Sequence, residues 1–227
     1  MIELQNVSKT LVLHTQGAAE IPVLKGVSLR VSPGECVALT GESGTGKSTL
    51  MRMIYGNCIA GSGQIIVGDT DITAAQPRDI FRTRRKVLGC FSQFLRVVPR
   101  VAAHDVVAVP LLMTGIDPAE VRDRATKLLE RLNIPTALMD LSPTTFSGGE
   151  QKRVNIARGF VRAYPAMLLD KPTASLDPVN RDIVLSLIED AMERSAAIIG
   201  IFYDKTARNR VSTRAIDVTE FTLGGSQ

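Results

Sequence analysis

Apolar and polar positions alternate along the first residues, MIELQNVSKTLVL, the period-two pattern of a half-buried strand. A turn containing Gly and Ala is expected around Gly17. Beyond it, VLKGVSLRVSPGECVALTG reads as two strands joined by Ser32-Pro33-Gly34. The second strand, Glu35 to Thr40, runs into a glycine-rich loop, and LMRMIY after that loop has helical spacing.

From Pro77 to about Pro165 helical signals dominate: DIFRTRRKVL, then AHDVVAVPLLMTG, then PAEVRDRATKLLERLN, where Val121, Ala125, Leu128, Leu129 and Leu132 form an apolar stripe. This stretch reads as a helical insertion. Two continuous apolar strands follow, AMLLD ending at Asp170 and AAIIGIFY ending at Tyr203, separated by the helix DPVNRDIVLSLIEDAMER. That alternation predicts a parallel α/β sheet. No internal repeat is visible, and the last residues, LGGSQ, are expected to be loose.

The 227 residues suit one large domain, or one domain carrying a subdomain. With 4% aromatics and no Trp, a base-stacking platform is poorly supplied, so nucleic acid is not an expected partner. A net charge of +4 adds no partner of its own. The one concentrated basic run, Arg82, Arg84, Arg85 and Lys86, reads first as a solvated helix face and second as a docking surface. No apolar run approaches the roughly 18 residues that span a bilayer, and MIELQNVSK lacks a basic segment followed by an apolar one. A cytoplasmic chain without direct membrane insertion is therefore expected. Cys36, Cys58 and Cys90 have neither disulfide nor zinc spacing and are read as reduced, mostly buried thiols.

Chemistry concentrates in Gly41-Glu42-Ser43-Gly44-Thr45-Gly46-Lys47-Ser48-Thr49, which fits G-x-x-x-x-G-K-[ST] between a strand and a helix. Glycines let successive N–H groups wrap a phosphate, Lys47 brings a charge to the β and γ phosphates, and the Ser48 hydroxyl suits Mg²⁺. Asp170, at the end of an apolar strand, is a carboxylate placed to hold the same ion. Ser147 and Glu150 have the spacing of a capping box for the helix QKRVNIARGF, and Gly148 and Gly149 leave N–H groups open at its start.

The stretch SGGEQKRVNIARG resembles the signature of ABC-type ATPases, and the Gly41 loop, Gln93 in CFSQF, Asp170 and Ser175 to Asp177 fall in that family's order, covering the chain to about residue 215. The resemblance implies a P-loop fold over residues 1–227. It would comprise a RecA-like parallel core, an N-terminal antiparallel β subdomain and a helical signature subdomain at about 94–158. It implies ATP and Mg²⁺ as cofactors, with Ser48, Gln93 and Asp170 at the metal and Gly41, Ser43, Gly44, Gly46, Lys47, Ser48 and Thr49 at the phosphates. It also implies head-to-tail pairing with a second ABC-type subunit, identical or not, so that Ser147, Gly148 and Gly149 close over the nucleotide of the partner.

Within the family, SQFLRVVPRVAAHDVVAVPLL and TFSGGEQKRVNIARGF resemble the ABC-type subunit of the bacterial carbon-phosphorus lyase system. That resemblance implies partners in a soluble phosphonate-processing complex. The alternative is the ATP-hydrolysing subunit of an ABC transporter.

Three positions depart from the family pattern. The Glu that polarises water after the strand-end Asp is Lys171, the switch His falls at Tyr203, and no aromatic residue precedes Tyr55, which leaves Leu11 near the expected adenine seat. A protonated lysine accepts no proton from water, and a tyrosine with an ordinary pKa of about 10 shuttles protons poorly near neutrality. The expectation is ATP binding with impaired turnover, Asp177 and Asp204 being the candidate substitute bases.

Overall fold

Residue-by-residue alternation on the central strands sends side chains to two different cores. The computed structural model describes residues 1–13, 19–91, 99–112 and 114–222. In chain order the first elements are β1 (Ile2–Leu13), β2 (Ala19–Val31), β3 (Cys36–Thr40), α1 (Lys47–Ile54), β4 (Ser62–Val67), β5 (Thr70–Asp71), α2 (Pro77–Lys86) and β6 (Leu88–Phe91). Then come α3 (Ala103–Leu112), α4 (Pro118–Arg131), α5 (Thr136–Met139), α6 (Gly148–Phe160), β7 (Ala166–Asp170), α7 (Pro178–Glu193), β8 (Ala197–Ile201), α8 (Lys205–Val211) and β9 (Arg214–Asp217).

Two sheets result. β2-β1-β4-β5 is antiparallel, and β6-β7-β8-β3-β9 is parallel throughout. On the parallel sheet, Cys36, Ala38, Met167, Leu169 and Ile198 face a core shared with α3, α4, α6 and α7. Val37, Leu39, Ala166, Leu168, Ile199 and Ile201 face the opposite core, with α1 and the antiparallel sheet. Both faces of these strands are covered, which explains their unbroken apolar runs.

Local chemistry sets the helix starts. Asp117 caps α4 and Asp177 caps α7, each followed by Pro at the first helical position, where the missing N–H costs nothing. The apolar stripe expected on α4 is the face that buries Val121, Ala125 and Leu129.

Several expectations need correction. The strands on either side of Ser32-Pro33-Gly34 form as read, yet they lie in different sheets. The stretch from Pro77 is not continuously helical: α2 stops at Lys86 and LGCF forms β6, with Leu88 to Phe91 paired to Ala166 to Leu169. Four apolar residues next to a helical run carry no period of their own. Of the thiols, Cys36 is buried and Cys58 and Cys90 are partly buried against the same core as α1, in keeping with the reading of mostly buried thiols. On α2, Arg82, Arg85 and Lys86 are exposed as expected. Arg84 instead donates to the Tyr55 carbonyl (2.8 Å) and stacks over the Tyr55 ring at 4.3 Å, closing the end of α1. The expected turn at Gly17 and the tail LGGSQ lie outside the described residues.

Candidate functional site

Because all five strands of the second sheet run the same way, their carboxyl ends form one edge. Thr40 leads into the loop 41–46, Asp170 ends β7, and Ile201, paired with Asp170 across the ladder, leads to Tyr203. β8 lies between β7 and β3, which puts Tyr203 between the strand-end carboxylate and the glycine loop. Sites of α/β sheets form along such an edge.

The loop is shaped by left-handed backbone at Gly41 (φ 120°), Gly44 (φ 90°) and Gly46 (φ 89°). A Cβ on Gly41 would lie 3.0 Å from Asp217 Oδ1, and one on Gly46 would lie 3.0 Å from Val23 Cγ1. Both braces come from distant elements, the end of β9 and β2, and no sequence signal announced them. Asp217 is itself fixed by the Thr219 N–H (2.9 Å) and hydroxyl (2.7 Å). Inside the loop, the buried Lys47 ammonium donates to the carbonyls of Gly41 (2.8 Å) and Glu42 (2.5 Å) and to Thr45 Oγ1 (3.2 Å). Ser48 and Thr49 follow in the first turn of α1, which has no acidic residue. Its start is thus electropositive and open to an anion.

Asp170 stands at the end of β7 on the same sheet edge. Among the described residues its Oδ1 is buried without a hydrogen-bond partner, and burial pushes its carboxyl above the ordinary range, opposed by the charges of Lys171 and Arg52. An orphaned buried carboxylate oxygen beside a phosphate loop is what a metal ion would satisfy. Gln93 lies outside the described residues.

The signature stretch folds as its sequence indicates. Ser147 caps α6: its Oγ accepts from the Glu150 N–H (3.3 Å), while Glu150 Oε2 accepts from the Ser147 N–H (2.8 Å). Gly148 and Gly149 are open, since a Cβ on Gly148 would meet nothing within 4 Å.

A family model described as ABC transporter matches residues 24–174. The chain belongs to this ABC transporter ATP-binding family. It is 33% identical over 206 residues to the ABC transporter ATP-binding protein YtrE of Bacillus subtilis (strain 168), covering 90% of this chain and 89% of that protein. It is 35% identical over 201 residues to the lipoprotein-releasing system ATP-binding protein LolD of Maricaulis maris (strain MCS10), covering 88% and 86%. It is 33% identical over 228 residues to the macrolide export ATP-binding/permease protein MacB of Marinobacter nauticus (strain ATCC 700491 / DSM 11845 / VT8). That match covers 98% of this chain but only 34% of that relative. Among solved structures it resembles a post-hydrolysis dimer of the ATP-binding cassette MJ0796 bound to ADP and Pi. The TM-score is 0.86 at 26% identity, over 96% of this chain and 95% of that one.

In this ABC cassette, Lys171 and Tyr203, the two expected departures from the family pattern along this edge, touch each other. Lys171, held at a left-handed φ of 56° with its N–H on the Ile201 carbonyl (3.0 Å), places its ammonium 4.8 Å from the centre of the Tyr203 ring. Its pKa is raised, first by the hydrogen bond to Tyr203 and also by Asp170, so the ammonium stays charged. Tyr203 is 62% exposed, because the preceding Phe202 ring folds back over Gly200 and takes the buried side.

The cassette's two candidate substitute bases are committed elsewhere. Asp177 caps α7 through the Asn180 N–H (2.9 Å), and also accepts from Asn180 Nδ2 (2.6 Å). Asp204 caps α8 through the Thr206 N–H (2.8 Å) and pairs with Arg181 at 3.1 Å. Hydrogen bonds hold both carboxyls below their ordinary range, the wrong direction for a base near neutrality. The expected adenine seat is aliphatic: Leu11 pairs directly with Ile21, and both are partly exposed.

Proposed function

We propose that this chain is the ATP-binding subunit of a transporter-type assembly, in which two cassettes pair head to tail, enclose Mg-ATP and hydrolyse it slowly. The observation that carries the reading is the Gly41 to Thr49 loop, curled around the Lys47 ammonium on the same sheet edge as the unpartnered Asp170 Oδ1. An ammonium that now bonds carbonyls of its own loop is positioned to exchange them for phosphate oxygens.

Gly41, Ser43, Gly44, Gly46, Lys47, Ser48 and Thr49 are assigned to the phosphates, and Ser147, Gly148 and Gly149 to the nucleotide of the partner. Mg²⁺ would be held by the Ser48 hydroxyl, Asp170 and Gln93 together with phosphate oxygens. One carboxylate plus phosphates suits an ion that keeps most of its shell on substrate and water. When bound, it would neutralise charge on the β and γ phosphates. Lys171 and Tyr203 then form a cationic, weakly basic wall where a carboxylate is required. The helical subdomain is assigned to about 94–158.

The transporter setting is supported by the names of the relatives, which include a macrolide exporter and a lipoprotein-releasing system. No described helix is long and apolar enough to cross a membrane, so the permease would be a separate partner or another part of a longer protein. The second reading, a phosphonate-processing complex, rests on SQFLRVVPRVAAHDVVAVPLL and TFSGGEQKRVNIARGF alone. Co-purification of the chain from solubilised membranes and from the soluble fraction separates the two.

The direct test of the site is Lys47→Ala in a calorimetric titration with Mg-ATP. Affinity should fall by at least about tenfold, since a charge-assisted phosphate contact is lost. Unchanged affinity removes the loop from the site.

A further inference from the structure

Lys152 makes contacts that its sequence motif does not suggest. It lies in the second turn of α6, three residues after Gly149 and four after Gly148, and so neighbours both on the helix surface. Its ammonium donates to the carbonyl of Lys171 (3.2 Å) and to that of Ala174. The helix that begins with Ser147 is thereby tied to the loop that follows Asp170. Among the described residues the ammonium has no carboxylate partner, so backbone carbonyls alone satisfy a charge that is partly withdrawn from water.

Among the described residues, few backbone hydrogen bonds hold the loop it reaches, although Pro172 and Thr173 in it are buried. Residue 171 is left-handed without being glycine, as is Ser175 (φ 59°), and such conformations persist only where surrounding contacts enforce them. Within the loop, the Ala174 N–H bonds the Lys171 carbonyl at a long 3.3 Å, and the Leu176 N–H bonds the Thr173 carbonyl at 3.4 Å. The segment's polar ties to other elements include the Lys171 N–H to Ile201, the Lys171 side chain to Tyr203, and Lys152. Other links from the helical elements to the core, Asn133 to Asn180 (3.1 Å) and Arg131 to Asp190 (2.7 Å), reach α7 and leave this loop untouched.

We propose that Lys152 is a positioning residue that locks the backbone of residues 171–174 to the signature helix, so that the nucleotide site and the surface offered to the partner cassette move as one unit. Lys152 touches neither nucleotide nor metal in this assignment; it acts through the main chain of Lys171. The dimer half of the proposal rests on the head-to-tail reading given above, and the loop half does not.

Lys152→Met, which keeps the aliphatic stem, and Lys152→Arg, which keeps the donors, provide the test. Hydrogen exchange on the nucleotide-free chain reads the loop half. Amides of Lys171 and Ala174 should exchange about tenfold faster in Lys152→Met, return toward the parent in Lys152→Arg, and leave those of β3 unchanged. ATP-dependent dimerisation by sedimentation velocity reads the other half. Lys152→Met should need about tenfold more Mg-ATP to dimerise while the monomer binds nucleotide as before.

Loop exchange equal to the parent overturns the proposal. So does faster exchange spread over α6 and β3 together with a lowered Tm, which would make Lys152 a general packing residue. If the parent itself fails to dimerise with Mg-ATP, the head-to-tail reading falls, and the exchange experiment still decides whether Lys152 holds the loop.

Discussion

The Lys171 ammonium stands 4.8 Å from the centroid of the Tyr203 ring, with Asp170 as its neighbour in the chain. Two positions that each depart from the ABC pattern therefore form one contact, a cation on an aromatic face with a hydrogen bond to the same side chain. A replacement at one of them changes the surroundings of the other.

Removing only the hydroxyl separates the two parts of this contact. In Tyr203→Phe the ring remains and the first cause of the raised Lys171 pKa is gone, so Lys171 should titrate at lower pH in an NMR titration. The sign for stability follows. A folded pKa above the ordinary lysine value contributes stability that is full below that value and is lost as pH rises through the folded pKa. The wild-type advantage over Tyr203→Phe should be flat across neutral pH and vanish only in strong alkali. A difference that changes between pH 5 and 8 would assign it to another group.

Asp170 predicts a conflict between stability and binding. Burial raises its carboxyl pKa, and a raised pKa stabilises only where the proton is bound, so at pH 7 the ionised group costs the nucleotide-free chain stability. Asp170→Asn should raise the Tm by a few degrees, at about 2–4 °C per kcal/mol for a chain of this size. The same change should remove the Mg²⁺ dependence of nucleotide affinity. A lower Tm with Mg²⁺ dependence intact contradicts both halves.

Gly200 explains why Tyr203 faces outward. A Cβ there would lie 2.3 Å from Cε2 of Phe202, so Gly200→Ala must displace that ring from its buried seat. The expected cost is about 1–3 kcal/mol, measured by urea unfolding. Loss of the Lys171 contact should accompany it, seen as a Lys171 titration moved toward that of Tyr203→Phe.

The parts of the fold legible in the sequence are those whose signals are local. The alternation of β1, the apolar runs of β7 and β8, the loop at Gly41 and the capping box at Ser147 each declare themselves within a few residues. β6, four residues long, and β9, four residues with none fully buried, lack a period and depend on partners far along the chain. The site divides in the same way. Lys47, Ser48 and Asp170 follow from motif and strand end. Asp217 beside Gly41 and Lys152 on the Lys171 carbonyl arise from pairings that only the folded sheet creates. The candidate bases show the opposite error: as free carboxylates Asp177 and Asp204 look available, yet each lies at a helix start whose N–H groups claim it.

The central claim is that this cassette binds Mg-ATP but lacks a base for the attacking water, because a charged lysine occupies the base position. Phosphate release at saturating Mg-ATP, for the chain as it stands and for Lys171→Glu side by side, tests it most directly. A general base contributes about 10²–10⁴ in rate. Restoring the carboxylate should raise release by at least about tenfold with Mg-ATP affinity equal or weaker, since a positive charge beside a polyanion is lost. Equal release rates for the two proteins at saturation would contradict the claim.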